Sequence, residues 1–130
     1  MNRKKFFEKV FKITEEDIKK FAEVSLDFNP LHLDEKYAKE TIFGERICHG
    51  MLLAGFISSI IGNDFPGHGT IYLSQYLNFL KPIKIGDVIT IKVTLDSIIT
   101  VTRWKLKTIC INQNKNIVID GEAVVVPPIL

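Results

Sequence analysis

The sequence has only two cysteines, no run of apolar residues long enough to span a bilayer, no low-complexity tract and no marked excess of either charge. Each scarcity excludes something. Cys48 and Cys110 sit in apolar and strand-like surroundings, so they read as two buried free thiols and not as a disulfide framework, which favours a reducing compartment. The longest uncharged apolar stretch, residues 49–62, falls short of the roughly 20 residues a membrane helix needs. Residues 1–11 are basic and aromatic, but Glu8 and Lys9 interrupt them, so no continuous signal-peptide segment forms and a cytoplasmic protein is expected. A formal net charge of +2 argues against a dedicated nucleic-acid binder.

What is present fits a single domain over residues 1–130. With 46% hydrophobic and 25% charged residues, a chain of this length buries roughly two-thirds of its unfolded surface and needs no disulfide or structural metal. No repeat or linker divides it.

Thr14 followed by Glu15, Glu16 and Asp17 marks a helix start, since a hydroxyl caps free N–H groups and acids favour the positive helix end. Ile18, Phe21, Ala22 and Ser25 then share a face. Pro30 ends this helix, because it disfavours helical geometry at Asn29 and lacks a donor. Asp34 caps a short second helix that runs through Ala38. Residues 49–62 are apolar on every side, which predicts a helix enclosed by other structure. Alternation over residues 70–79, 88–95, 104–112 and 117–125 predicts a meander of antiparallel strands, the last entered through the turn Asn114, Lys115, Asn116. The whole is an α+β domain with its sheet curled around the apolar helix.

Asp27, Asn29 and His32 lie in a Pro-fixed turn between helices. A carboxylate and an imidazole held there can bind one water, the carboxylate taking a proton while the imidazole orients or returns one. The plainer reading is that Asp27 and Asn29 cap turns and His32 packs at an edge. Gly50 opens the apolar helix, where unpaired N–H groups and the helix dipole suit an oxygen that becomes enolate-like, although close packing also explains a glycine there. His32, His49 and His68 fit no zinc spacing, and His68 falls in an exposed turn at residues 66–69. Lys81, Lys84 and Arg46 read most simply as surface charges.

The stretch SLDFNPLHLDEKYA at residues 25–38 resembles the signature of the MaoC-like and (R)-specific enoyl-CoA hydratases, with the Asp-x-Asn-Pro-x-His core intact. HGMLLAGFISSIIG, IYLSQYLNFLKPIKIGD and GEAVV follow in the same order as in that family, and the short bacterial members that feed (R)-3-hydroxyacyl-CoA to polyester synthesis are the nearest likeness. The resemblance implies a hot-dog fold, in which an antiparallel sheet wraps a long central helix and two chains pair as a homodimer with an acyl tunnel along the seam. It implies an acyl-CoA substrate, no metal and no cofactor beyond the coenzyme A of the substrate itself. Asp27 is then the general base on water, His32 its acid/base partner, Gly50 the backbone donor to the thioester oxygen and Asn29 the support of the loop. Ser58, Ile61 and Val125 match positions lining the acyl pocket of the short bacterial enzymes. The sequence differs from longer eukaryotic members at Leu26, where they have glycine, and from close bacterial relatives at Gly55, where serine occurs. An acyl-carrier-protein dehydratase, a thioesterase of the same fold and a non-catalytic acyl-CoA binding module are the alternatives. The Asp-x-Asn-Pro-x-His loop favours the hydratase over the last two.

Overall fold

A computed structural model describes residues 5–129. Its elements are β1 (Phe6–Lys12), α1 (Glu15–Ser25), α2 (Pro30–Leu33), α3 (Glu35–Lys39), α4 (Gly50–Asn63), β2 (Ile71–Phe79), β3 (Val88–Thr100), β4 (Arg103–Ile111) and β5 (Ile117–Val126). The five strands form one antiparallel sheet in the order β1-β3-β4-β5-β2. β3, β4 and β5 run as consecutive neighbours, while β2, which precedes them in sequence, closes the far edge beside β5.

Alternation along the strands turns one face of the sheet toward α4. Ile89, Ile91 and Val93 of β3, Leu106 and Cys110 of β4, and Ile119, Ala123 and Val125 of β5 are buried with Leu53, Ile57, Ile60 and Ile61 of α4. Each of the isoleucine, leucine and valine side chains among them contributes roughly 1.5–3 kcal/mol when removed from water, so this contact fixes where the N-terminus of α4 sits. Local signals do the rest. Thr14 Oγ1 accepts the Asp17 N–H at 3.1 Å, starting α1, and Asp34 Oδ1 accepts the Tyr37 N–H at 3.0 Å, starting α3.

The hot-dog arrangement is the one observed, with differences in detail. β1 is an edge strand where the sequence suggests only an interrupted apolar terminus, because three of its seven side chains are charged and it is paired on one side only, to β3. β3 runs on to Thr100 past an irregularity at Leu95/Ser97, where the alternation that marks a strand breaks. The turn after Asn29 closes into the short helix α2, with Pro30 in its first turn, where a missing N–H costs nothing. The expectation that α4 is enclosed on every side is corrected. Met51 is 55% exposed, and Gly55 and Ser58 on the same face are also open, because a single sheet covers only one side of the helix.

Candidate active site

The loop between α1 and α2 is built by short side chains that bond to their own backbone. Ser25 Oγ donates to the Phe21 carbonyl at 2.6 Å and accepts the Asp27 N–H at 3.2 Å. Leu26 takes a left-handed conformation, φ 63°, and turns the chain out of α1. Asp27 Oδ1 then accepts the Asn29 N–H at 3.2 Å, and Asn29 Oδ1 accepts the Leu31 N–H at 3.1 Å. These side-chain turns leave the Asp27 carboxylate exposed on the chain and set Asn29 at the head of α2. A leucine in this left-handed conformation carries strain that glycine would not.

His32 follows on α2. Its Nδ1 lies 2.8 Å from the Ile47 carbonyl, which can only accept, so Nδ1 carries a hydrogen and Nε2 is the nitrogen left for another partner. Arg46 fixes the same residue from behind. Its Nε donates to the His32 carbonyl at 2.9 Å and its Nη2 to Glu15 Oε1 at 2.8 Å, and this hydrogen bond holds the Glu15 carboxyl below its ordinary pKa. Arg46 is therefore a brace between α1 and α2 and not a free surface charge.

His49, which the sequence brings forward only as a metal ligand, has a different place in the site. It is 2% exposed, and its Nε2 donates to the backbone carbonyl of Asp27 at 3.1 Å. Its ring stacks on that of His32 with centroids 3.9 Å apart and planes 28° apart, and meets the ring of Phe21 edge-on at 4.9 Å. Burial pushes its pKa below the ordinary imidazole value, against a raising effect from the Asp27 carbonyl, and the neighbouring His32 adds to the lowering. Its Nδ1 is buried with no hydrogen-bond partner among the described residues.

Asp27, His32 and His49 each bring an atom within 4.8 Å of the others, close enough to suggest an ion. The stacking opposes that use, because lone pairs lie in the ring planes and nearly parallel rings aim them side by side instead of at one point. His68 is exposed and outside the cluster, as its turn suggested.

A cavity of about 440 Å³ opens beside the cluster, lined by His32, Gly50, Met51, Phe79, Leu80 and Lys81 among others. It is mainly apolar, with α4 beginning in its wall. His49, the residue before the helix, makes no side-chain cap, so the first N–H groups of α4 have no side-chain partner from that residue. Gly50 also has a packing reason to be glycine: a Cβ built there falls 2.6 Å from Phe79 Cδ1. Lys84 pairs with Glu45 at 3.3 Å, which leaves Lys81 as the lysine lining this cavity. The Cys48 thiol in the wall donates to the His49 carbonyl at 3.2 Å and is pushed up to about 12 by burial, so it is no nucleophile. Ser58 lies on the open face of α4, whereas Ile61 and Val125 are buried in the core, and none of the three lines this cavity.

Residues 1–117 match the family model of the MaoC like domain. The chain is 45% identical over 117 residues to the (R)-specific enoyl-CoA hydratase of Rhodospirillum rubrum, a match covering 89% of this chain and 81% of that one. It is 41% identical over 116 residues to the 3-hydroxybutyryl-CoA dehydratase of Methylorubrum extorquens, covering 89% and 74%. Among solved structures, the (R)-hydratase from Aeromonas caviae involved in polyhydroxyalkanoate biosynthesis superposes with a TM-score of 0.92 at 36% identity, covering 98% of both chains.

Proposed function

The chain belongs to the MaoC-like domain family, and we propose from that premise that it is an (R)-specific enoyl-CoA hydratase, a hydro-lyase that adds water reversibly across a trans-2-enoyl thioester. One observation carries the reading: the Asp27 carboxylate and the His32 imidazole approach within 4.8 Å, and His32 lines an apolar cavity whose wall contains the N-terminus of α4. A water between them gives one hydrogen to Asp27 and directs the other to the lone pair of His32 Nε2. Its oxygen is then aimed at C3 of the enoyl group. As the C3–O bond forms, the C2=C3 π electrons move toward the thioester oxygen, and the Gly50 N–H with the helix dipole stabilises the charge. The proton gained by Asp27 is passed by the pair to C2, which completes the addition and returns both groups to their starting states. Asn29 keeps Asp27 in register through its own N–H.

These groups supply the full acid–base chemistry, so the reaction needs no metal or redox cofactor, and coenzyme A enters only with the substrate. In this reading Ser58, on the open face of α4, borders the acyl chain beyond the cavity, while Ile61 and Val125 support that wall from the core. The working unit is a homodimer. β2 ends the sheet, and Ile71, Leu73, Tyr76 and Phe79 along it are exposed beside Met51 of α4, a surface that a second copy would cover by pairing identical edges. Two buried free thiols suit a reducing cytoplasm. Among the described residues no helix is long and apolar enough to cross a membrane.

The test is hydration of crotonyl-CoA by purified, chelator-treated protein, with chiral analysis of the product. The (R)-3-hydroxybutyryl thioester is expected. Release of free coenzyme A, the (S) product or loss of activity on chelation would each overturn the reading.

A further inference from the structure

His49 touches each of the three components of the site. It holds the Asp27 carbonyl through Nε2, lies flat against His32, and precedes Gly50 in the chain at the head of α4. Packing alone does not explain a histidine in this place. The ring is buried and its Nδ1 finds no partner among the described residues, a cost that a phenylalanine of similar shape would avoid. The protonation state follows from the contacts. The Asp27 carbonyl can only accept, so Nε2 carries the hydrogen and Nδ1 is bare. A second proton would meet no acceptor and would place a charge against His32, so burial keeps the ring neutral.

The two stacked imidazoles thus hold opposite tautomers, His32 protonated at Nδ1 and His49 at Nε2, each set by a backbone carbonyl. We propose that His49 is a positioning residue for the hydration: its Nε2–H holds the Asp27 backbone and its face sets the plane of His32, so that one neutral ring fixes base and partner relative to each other and to Gly50. The inference rests on the hydratase reading for its chemistry and on the contacts alone for its geometry. The two functions of the ring are separable. Glutamine carries an amide N–H near the place of Nε2 but has no ring face. Phenylalanine keeps the face and loses the donor.

The experiment compares His49→Phe and His49→Gln with wild type in turnover of crotonyl-CoA, thermal melting and hydrogen exchange of the Asn29 amide, which bonds to the Asp27 carboxylate. His49→Phe is expected to melt at or above the wild-type temperature, with KM within about threefold and kcat reduced about 10²-fold, the size expected when a reacting group is misplaced by an ångström. Asn29 exchange should quicken about tenfold as the loop loosens. His49→Gln should recover about tenfold of the lost kcat and most of the Asn29 protection, since it restores the donor. A folded His49→Phe protein with kcat within twofold of wild type, or a Gln variant no better than Phe in both readouts, would overturn the proposal. If wild type were inactive on crotonyl-CoA, the hydratase reading would fail by itself. Asn29 exchange would still decide the bracing role: unchanged protection in the Phe variant overturns it, and lost protection regained with Gln supports it.

Discussion

The ring of Phe79, at the end of β2, occupies the space into which any side chain at residue 50 would project, so the edge strand and the N-terminus of α4 interlock through a missing Cβ. Gly50→Ala therefore forces either the ring or the helix start to move. A destabilisation of about 1–3 kcal/mol is expected for such overpacking, together with a fall in kcat as the helix N–H groups leave their alignment. Gly50→Ala combined with Phe79→Leu should regain most of the melting temperature. No recovery in the double variant would show that the helix start, and not the ring contact, sets the requirement for glycine.

Asp27→Asn keeps an oxygen to accept the Asn29 N–H and nearly the same volume, so the loop should fold as before. It cannot take a proton from water. Positioned acid–base groups typically contribute about 10²–10⁴-fold, and a loss in or above that range is expected at nearly constant KM. His32→Gln should lose most activity too, and the double variant should fall far short of the product of the two losses, because both groups act on one water. Turnover near the wild-type level in folded Asp27→Asn would remove Asp27 from the chemistry.

How much of this site was visible in the sequence depends on what each residue bonds to. The caps at Thr14 and Asp34 were legible because their partners lie three residues on, and the strands because alternation is a local property. Asp27, Asn29 and His32 stood out through a proline-fixed spacing. Arg46 and His49 did not, since their partners are the backbone carbonyls of His32 and Asp27, 14 and 22 residues away, and a carbonyl leaves no mark in the sequence. A histidine directly before glycine at the head of a wholly apolar helix was the one signal on offer, and it was weighed only as a metal ligand. The all-round apolarity of α4 suggests enclosure by other structure, whereas the sheet leaves the Met51 and Ser58 face uncovered.

The buried neutral His49 carries a pH signature. Its folded pKa is lowered, so below the unfolded value of about 6.5 the unfolded chain binds a proton that the folded chain resists. Its contribution is fully present above that pH and is lost as pH falls toward the folded pKa. Melting temperature should be flat from about pH 8 to 7 and decline below 6.5. His49→Phe should show a shallower decline over the same window. Parallel melting curves for the two proteins across that window would mean that His49 titrates alike in both states.

The exposed edge of the sheet gives the last prediction. Leu73 lies on β2 beside its irregular pairing with β5, and is 45% exposed in the single chain. If the chain stays alone, a lysine there meets water and changes stability by no more than about 0.5 kcal/mol. If β2 pairs with its counterpart across a two-fold axis, the same lysine meets its own copy at the seam, and charge on an edge strand is a common obstacle to such pairing. Light scattering at micromolar concentration should give twice the 14.8 kDa chain mass for wild type and a shift toward the single-chain mass for Leu73→Lys, with the fold retained by circular dichroism. Activity should fall with the dimer fraction, because the cavity beside His32 is bounded by Phe79, the last residue of that same strand, and by Leu80 just after it. A wild-type protein that is monomeric and fully active would refute both the paired edge and the acyl site at its seam.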